Sequence, residues 1–279
     1  MLATIIATFA SSVFAAIAAQ DGIYSAAPGQ LGFMQAATPI MEETVAFHNF
    51  LLWVITAITI FVTLIMIYIF VKFNAKSNPV ASKTTHNTVL EIVWTVVPVL
   101  ILVVIAIPSF KQLYNQDVIP EADVTIKAIG NQWYWSYEYL DYEEITFDSI
   151  MLQGAEAIAA GHPRLLGTDT RVVVPVDKVI RVQVTGNDVI HSWTIPAFGS
   201  KVDAVPGKLN ETWFKATKKG LYYGQCSELC GIRHGFMPIM VEVVSEAEYA
   251  EWLVWAKEEY ASLDAPRLQQ FAFAASVLE

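Results

Sequence analysis

The chain has 279 residues, of which 54% are hydrophobic and 16% are charged, and its formal net charge is −10. A globular domain usually carries about a quarter charged residues, so part of this chain is predicted to lie in a membrane. The acidic balance excludes nucleic-acid binding, which needs clustered Lys and Arg. Two cysteines are too few for a disulfide framework or a four-cysteine cluster, and the chain lacks the Cys-x-x-Cys-His sequence that attaches a covalent c-type haem.

The N-terminal segment is apolar and rich in alanine, and it ends in Ala16-Ile17-Ala18, a small-residue pattern that suits signal peptidase. We predict a signal peptide over residues 1–19. No Lys or Arg precedes the apolar part, so a retained N-terminal helix is the alternative. Residues 20–46 are then predicted to form a segment outside the membrane.

Two uncharged apolar runs follow, residues 50–71 and 92–110. A helix rises 1.5 Å per residue, so each run can cross a hydrocarbon core of roughly 30 Å. We predict a transmembrane helix hairpin over residues 47–112. The connecting loop carries lysines and no acid, whereas residues 20–46 carry acids and no base. The positive-inside bias therefore places the loop in the cytoplasm and both chain ends outside.

The rest of the chain reads as an acidic β domain. Short runs with period-two alternation, separated by turn residues, predict a β-sandwich or barrel over residues 113–244. Residues 142–169 contain several glycines and predict a long insertion between strands. Ser245 and Glu248 form a plausible capping box, which predicts a C-terminal helix and tail over residues 245–279.

One loop carries the chemistry. Cys230, His234 and Met237 offer a thiolate, an imidazole and a thioether, which is the ligand set of electron-transfer copper. His191 follows a predicted strand and supplies the further imidazole that such a site needs. Cys226 adds a second thiolate, which can bridge two copper ions. When the transferred electron is shared by two metals and two sulfurs, the length of each metal–ligand bond changes little on reduction, and electron transfer is fast.

Two alternatives apply to the cysteines. A disulfide between Cys226 and Cys230 is reasonable in an oxidising compartment, but so small a ring removes little entropy from the unfolded chain. Zinc would not call for Met237, and it has no redox role. The pattern therefore favours copper.

Aromatic and acidic residues accompany this loop. Aromatic residues alternate along a predicted strand at Trp133, Trp135, Tyr137 and Tyr139. This pattern alone favours a buried aromatic face of the strand. Acids near that strand could steer a basic partner, or could be a merely solvated face. These acids are Glu138, Asp141, Glu143, Glu144 and Asp188.

From about residue 45 to residue 260 the chain resembles subunit II of bacterial haem–copper cytochrome c oxidases. The resemblance implies a membrane-anchored α+β protein, in which the hairpin is followed by a cupredoxin fold. Besides the hairpin, it rests on GNQWYWSYEY (130–139), DVIHSW (188–193), DAVPG (203–207) and GQCSELCG (224–231), with His234 and Met237 beyond.

The resemblance also implies a ligand set for a dinuclear copper centre, CuA. His191 and Met237 would bind one copper, and His234 and the backbone carbonyl of Glu228 the other, with both thiolates bridging. The Glu228 side chain would point toward a Mg²⁺ ion at the contact with subunit I, the alternative being that only its backbone matters.

Three further roles are implied by the resemblance. Trp133 would receive electrons from cytochrome c, and the acids would dock that partner. Glu91 would stand at the mouth of a proton pathway into subunit I. A capping box of Thr88 and Glu91 would explain the same carboxylate by helix-end chemistry, and the two interpretations are compatible.

The predicted function is that of the oxidase subunit that accepts single electrons from cytochrome c and passes them to haem in subunit I, where oxygen is reduced and protons are pumped. Subunits I and III, cytochrome c and lipid are the expected partners, in a bacterial inner membrane with both chain ends periplasmic. A copper carrier, with an open site, is a rival. A copper-free quinol oxidase subunit conflicts with the cysteines, histidines and methionine, and nitrous oxide reductase lacks the hairpin.

Overall fold

A computed structural model describes residues 22–27, 29–80, 82–142 and 145–261. The predicted signal peptide, Glu143, Glu144 and the tail after residue 261 lie outside the described residues. The chain divides into two compact units. Residues 43–115 form one, and the segments before and after them together form the other.

The smaller unit is a helix hairpin. Helix α1 spans Pro39–Lys72 and helix α2 spans Thr88–Asp117, so both extend beyond the predicted apolar runs at each end. The Gln112 side-chain amide donates to Thr44 Oγ1 over 2.7 Å, which joins the two helices at the ends remote from their connecting loop. Both helices are long and apolar enough to cross a membrane. The predicted hairpin is confirmed.

The start of α2 differs from its prediction. The Leu90 N–H donates to the Asn87 side chain over 3.2 Å, and the Glu91 N–H donates to the Asn87 carbonyl over 3.0 Å. Asn87 therefore caps the helix, and Thr88 already belongs to it. The predicted capping box of Thr88 and Glu91 is wrong, because asparagine offers the same side-chain acceptor one residue earlier.

The larger unit is a β-sandwich with a C-terminal helix. It contains the short helix α3 (Gly154–Ala159) and the longer C-terminal helix α4 (Glu246–Ala261). The strands, in chain order, are β1 (Ile23–Tyr24), β2 (Val124–Asn131), β3 (Tyr134–Tyr139), β4 (Thr146–Ser149), β5 (Val172–Pro175), β6 (Ile180–Gly186), β7 (His191–Ile195), β8 (Ser200–Ala204), β9 (Asn210–Phe214), β10 (Gly220–Gln225) and β11 (Pro238–Val244).

These strands form two sheets and a hairpin. One sheet has the order β1-β10-β11-β5 and the other β4-β3-β2-β6-β9, while β7 and β8 pair with each other. Alternate residues of β2, β3 and β6 are buried, as period two requires. Aromatic rings fill the core, with Phe198 stacked on Phe214 at 4.4 Å between centroids. The predicted cupredoxin-like fold class is confirmed.

The insertion and the last helix also have defined structure. The predicted insertion at 142–169 contains β4, which pairs with β3 as an edge strand, and α3. At the start of α4, Ser245 N–H donates to Glu248 Oε2 over 2.7 Å and Glu248 N–H donates to Ser245 Oγ over 3.3 Å. The predicted capping box is therefore present, and it fixes where α4 begins.

Candidate metal centre

Two sulfur atoms lie at the centre of the site. Cys226 directly follows β10, and Cys230 lies on the loop between β10 and β11. Both are buried and free, and their Sγ atoms are 3.8 Å apart. A disulfide would hold them at about 2.05 Å. At the observed separation both sulfurs can instead face a common metal position.

Imidazole nitrogens stand beside both sulfurs. His191 is the first residue of β7, and its Nδ1 lies 3.9 Å from Cys226 Sγ. His234 lies in a short 3-10 turn of the loop, and its Nδ1 is 3.6 Å from Cys230 Sγ. Among the described residues, the ligand atoms of His191 and the two cysteines form a cluster in which all lie within 4.8 Å of one another.

Two weaker ligands complete this cluster. Met237 Sδ lies 3.5 Å from Cys230 Sγ, and the Glu228 carbonyl oxygen lies 3.3 Å from Cys226 Sγ. Met237 is fully buried beside β11, where the Trp135 indole N–H donates to its carbonyl over 3.3 Å. The structure therefore brings together all six groups that the sequence resemblance proposed as ligands.

The two thiols differ in acidity. Burial alone would raise the pKa of Cys226, but the hydrogen bond with His191 and contacts with the backbone of Glu228 and Ser192 lower it to about 7. Burial and the neighbouring Cys226 sulfur raise the pKa of Cys230 to about 12. Metals bind thiolates, so loading this site must release a proton from Cys230.

Asp188 orients the His191 ring. Its Oδ1 lies 2.8 Å from His191 Nε2, which leaves Nδ1 for the sulfur side, and it also accepts backbone N–H groups of Gln132 and Val189. Although partial burial opposes it, these bonds lower the pKa of Asp188. A carboxylate on the distal nitrogen is typical of histidines that ligate metals. The sequence prediction gave Asp188 only a docking role, although its place three residues before His191 hinted at this one.

A glycine makes room for the same ring. A Cβ on Gly130 of β2 would lie 2.7 Å from His191 Cδ2 and 2.9 Å from its Cβ. Both contacts are closer than real side chains allow. Gly130 therefore lets β2 pass directly behind the imidazole, and sequence patterning alone did not assign it this part.

Trp133 touches the cysteine loop. It precedes β3 and is half-buried, unlike Trp135, Tyr137 and Tyr139, which are buried in the core. Its indole N–H donates to the Cys230 carbonyl over 3.3 Å, and the Gln132 side chain donates to the same oxygen over 2.7 Å. The indole thus connects the protein surface to the backbone of a cysteine at the site.

The remaining predicted site residues lie elsewhere. Glu138 pairs with Lys127 at 3.0 Å, and Asp141 accepts the Thr125 N–H over 2.7 Å, so both are engaged within the protein. The Glu228 side chain is exposed. Glu91 lies in the first turn of α2, in the other unit.

The fold and the site together define a class: a membrane-anchored β-sandwich protein with a metal-binding cluster of thiol, imidazole and thioether groups. Residues 124–244 match the family model for the periplasmic domain of cytochrome c oxidase subunit II, and residues 26–112 match that for its transmembrane domain. The chain belongs to the cytochrome c oxidase subunit II family. It is thus a subunit of an oxidoreductase.

Individual relatives agree with the family models. The chain is 52% identical over 226 residues to a probable cytochrome c oxidase subunit 2 of Rickettsia bellii, covering 81% of this chain and 84% of the relative. It is 51% identical over 247 residues to the cytochrome c oxidase subunit 2 of Cereibacter sphaeroides, covering 82% and 81%. A crystal structure of the periplasmic domain of subunit II from Bradyrhizobium japonicum is 59% identical and covers 52% of this chain and 100% of that one, with a TM-score of 0.48.

Proposed function

We propose that this subunit accepts single electrons from cytochrome c at a dinuclear CuA centre and passes them to haem in subunit I. The observation that carries the proposal is the sulfur pair at 3.8 Å with an imidazole nitrogen beside each sulfur. Thiolate and imidazole ligands together with a thioether form the ligand set of electron-transfer copper sites. The donor set therefore fits the group that the family resemblance implies.

The protein groups have distinct parts in this proposal. The two thiolates, together with His191, Met237, His234 and the Glu228 carbonyl, would hold the copper. Copper bound here supplies a reversible one-electron couple. The rigid strands on either side of the loop hold the ligands, so they move little when the charge changes.

Trp133 is the proposed point where electrons arrive. Its half-buried indole offers an exposed edge to a partner, and its N–H contact with the Cys230 carbonyl leads into the site. The surface acids Glu138, Asp141 and Asp188, with Glu143 and Glu144, are proposed to steer the basic face of cytochrome c, although Asp188 also orients His191.

The wider assembly completes the proposal. Residues 1–19 form a signal peptide, 20–46 and 113–279 lie in the periplasm, and 47–112 cross a bacterial inner membrane, with both chain ends outside. Subunits I and III and lipid surround the hairpin. The Glu228 carboxylate would hold Mg²⁺ at the contact with subunit I, Glu91 would open a proton pathway, and oxygen reduction in subunit I would be coupled to proton pumping.

Electron paramagnetic resonance tests the copper site. The full chain is purified in detergent without other oxidase subunits, reduced with a thiol, and loaded with copper. We expect a seven-line hyperfine pattern from one electron shared by two coppers, with two coppers per chain by elemental analysis. A four-line signal with one copper would reduce the site to a single ion, and the absence of bound copper would refute the proposal.

Replacing Trp133 with Phe tests the arrival point. Phe keeps an apolar ring but loses the N–H group that contacts the Cys230 carbonyl, so reduction of the copper site by reduced cytochrome c should slow in stopped-flow measurements while the resonance spectrum stays unchanged. Trp255→Phe, on the exposed side of α4, is the matched control and should leave the rate as it was. A perturbed spectrum in Trp133→Phe would mean that the residue is structural.

A further inference from the structure

A cavity lies beside the candidate metal centre, formed by the insertion after β4 on one side and by the cysteine loop on the other. Its volume is about 510 Å³, within the range of roughly 300–1,000 Å³ typical of small-molecule sites. Leu152, Ala157 and Ile158 of the insertion and Phe236 of the loop give it apolar walls. None of these residues belongs to the proposed ligand set.

The insertion wall is preformed. The Leu152 N–H donates to the Gly167 carbonyl over 2.9 Å, which closes the base of the insertion. The His162 ring bonds the Tyr223 hydroxyl of β10 at 2.8 Å, which ties the insertion to the sandwich. A Cβ on Gly167 would come within 2.7 Å of His162 Cβ, so the glycine is what lets this ring dock. A ligand would therefore meet a wall that is already built.

The charged side chains that line the cavity are two arginines without partners among the described residues. Arg164 and Arg233 line it, and neither guanidinium has a hydrogen bond or an ion pair with any residue that the structure describes. By contrast, Arg171 pairs with Glu242 and Arg181 pairs with Glu211. Among the arginines of the described ranges, the two at this cavity are thus the two that have no partner. They lie in a domain whose net charge is negative.

The apolar groups at the cavity are also uncovered. Ile158 is 79% exposed and Phe236 is 41% exposed. Exposed apolar side chains beside charged groups that line the same cavity are typical of a surface that a ligand covers. An inorganic anion would satisfy the arginines and leave these two side chains in water.

We propose that this cavity binds an organic carboxylate with an apolar body. The carboxylate pairs with the guanidinium groups of Arg164 and Arg233, whose planar forks match two carboxylate oxygens, and the apolar body covers Ile158 and Phe236. The site is independent of the copper centre, although Arg233 lies directly before the proposed ligand His234. Nothing in this binding depends on the proposed electron transfer.

Calorimetric titration with 2-naphthoate tests the site. The full chain in detergent is titrated in its metal-free, thiol-reduced form and again after copper loading, with 2-naphthol as the neutral analogue and inorganic phosphate as the anion without an apolar body. We expect saturable binding of one naphthoate per chain in both forms, and much weaker binding of the two analogues. Equal binding of naphthol or phosphate would overturn the proposal.

Charge-removing variants locate the binding. Arg164→Gln and Arg233→Gln should each weaken naphthoate binding by about tenfold or more, because each removes a charge-assisted hydrogen bond. Lys208→Gln, on a turn outside the cavity, should leave the dissociation constant unchanged. Both arginines are exposed and unpaired among the described residues, so the variants should keep the wild-type unfolding midpoint. Arginine variants that bind naphthoate as the wild type does would refute the site.

Discussion

Replacing Cys230 with Ser is expected to abolish the seven-line copper signal and to stop reduction of the site by reduced cytochrome c. Cys230 Sγ lies 3.8 Å from Cys226 Sγ, 3.6 Å from His234 Nδ1 and 3.5 Å from Met237 Sδ, so it contacts three of the other proposed ligands. A serine hydroxyl is a hard, poorly ionised ligand in place of a soft bridging thiolate. Loss of an outer-shell partner alone weakens metal binding about 10–100-fold, so loss of the bridge should exceed that.

The measurements are copper affinity by chelator competition, the resonance spectrum and stopped-flow reduction. Ser227→Ala is the matched control on the same loop, because among the described residues its hydroxyl bonds only the nearby Gln225 carbonyl, at 3.3 Å. Thermal unfolding of the metal-free forms separates lost binding from lost folding. A Cys230→Ser protein that kept the seven-line pattern would contradict the bridging role of this sulfur.

The ligands could be predicted because most of them are local in sequence. One loop between β10 and β11 carries five of the proposed ligands, which are Cys226, Glu228, Cys230, His234 and Met237. Residues of a single loop are close in space regardless of how the other strands pair. His191 comes from β7, and the end of a predicted strand was enough to suggest it. The hairpin was equally accessible, because an uncharged run of membrane-spanning length has few alternatives in a folded protein.

The supporting residues could not be predicted in the same way. Gly130 meets His191 because β2 pairs with β6. This pairing brings the end of β2, where Gly130 lies, close to His191 at the start of β7. Asp188 faces both His191 and the Gln132 backbone, a contact between distant parts of the chain. Such contacts follow from sheet register, which hydrophobic periodicity restricts without fixing which side chains meet.

Trp133 shows where a period-two pattern misleads. The alternation of aromatic residues placed it on the same buried strand face as Trp135. In the structure β3 begins at Tyr134, so Trp133 belongs to the turn before the strand and its ring follows the turn toward the Cys230 carbonyl. Alternation constrains only residues inside a strand, and the strand boundary is the part that sequence locates least well.

Replacing Gly130 with Ala should displace the His191 ring and disturb the copper site. The added methyl group would lie 2.7–2.9 Å from His191 Cδ2, Cγ and Cβ, and these atoms cannot swing away because the ring is fully buried and packs edge-on against Trp135 at 6.0 Å. Overpacking of this kind typically costs about 1–3 kcal/mol. We expect a lower unfolding temperature of the metal-free chain, weaker copper binding and altered hyperfine splitting.

Gly235→Ala separates this effect from a general intolerance of the site to added methyl groups. Gly235 follows the proposed ligand His234, and a Cβ there meets nothing within 4 Å, so its spectrum, copper affinity and unfolding temperature should match the wild type. If Gly130→Ala also matched the wild type in spectrum, copper affinity and unfolding temperature, β2 and the His191 ring would be able to move apart to accept the methyl group. The proposed rigidity of the ligand shell, on which fast electron transfer depends, would then have to come from the loop itself.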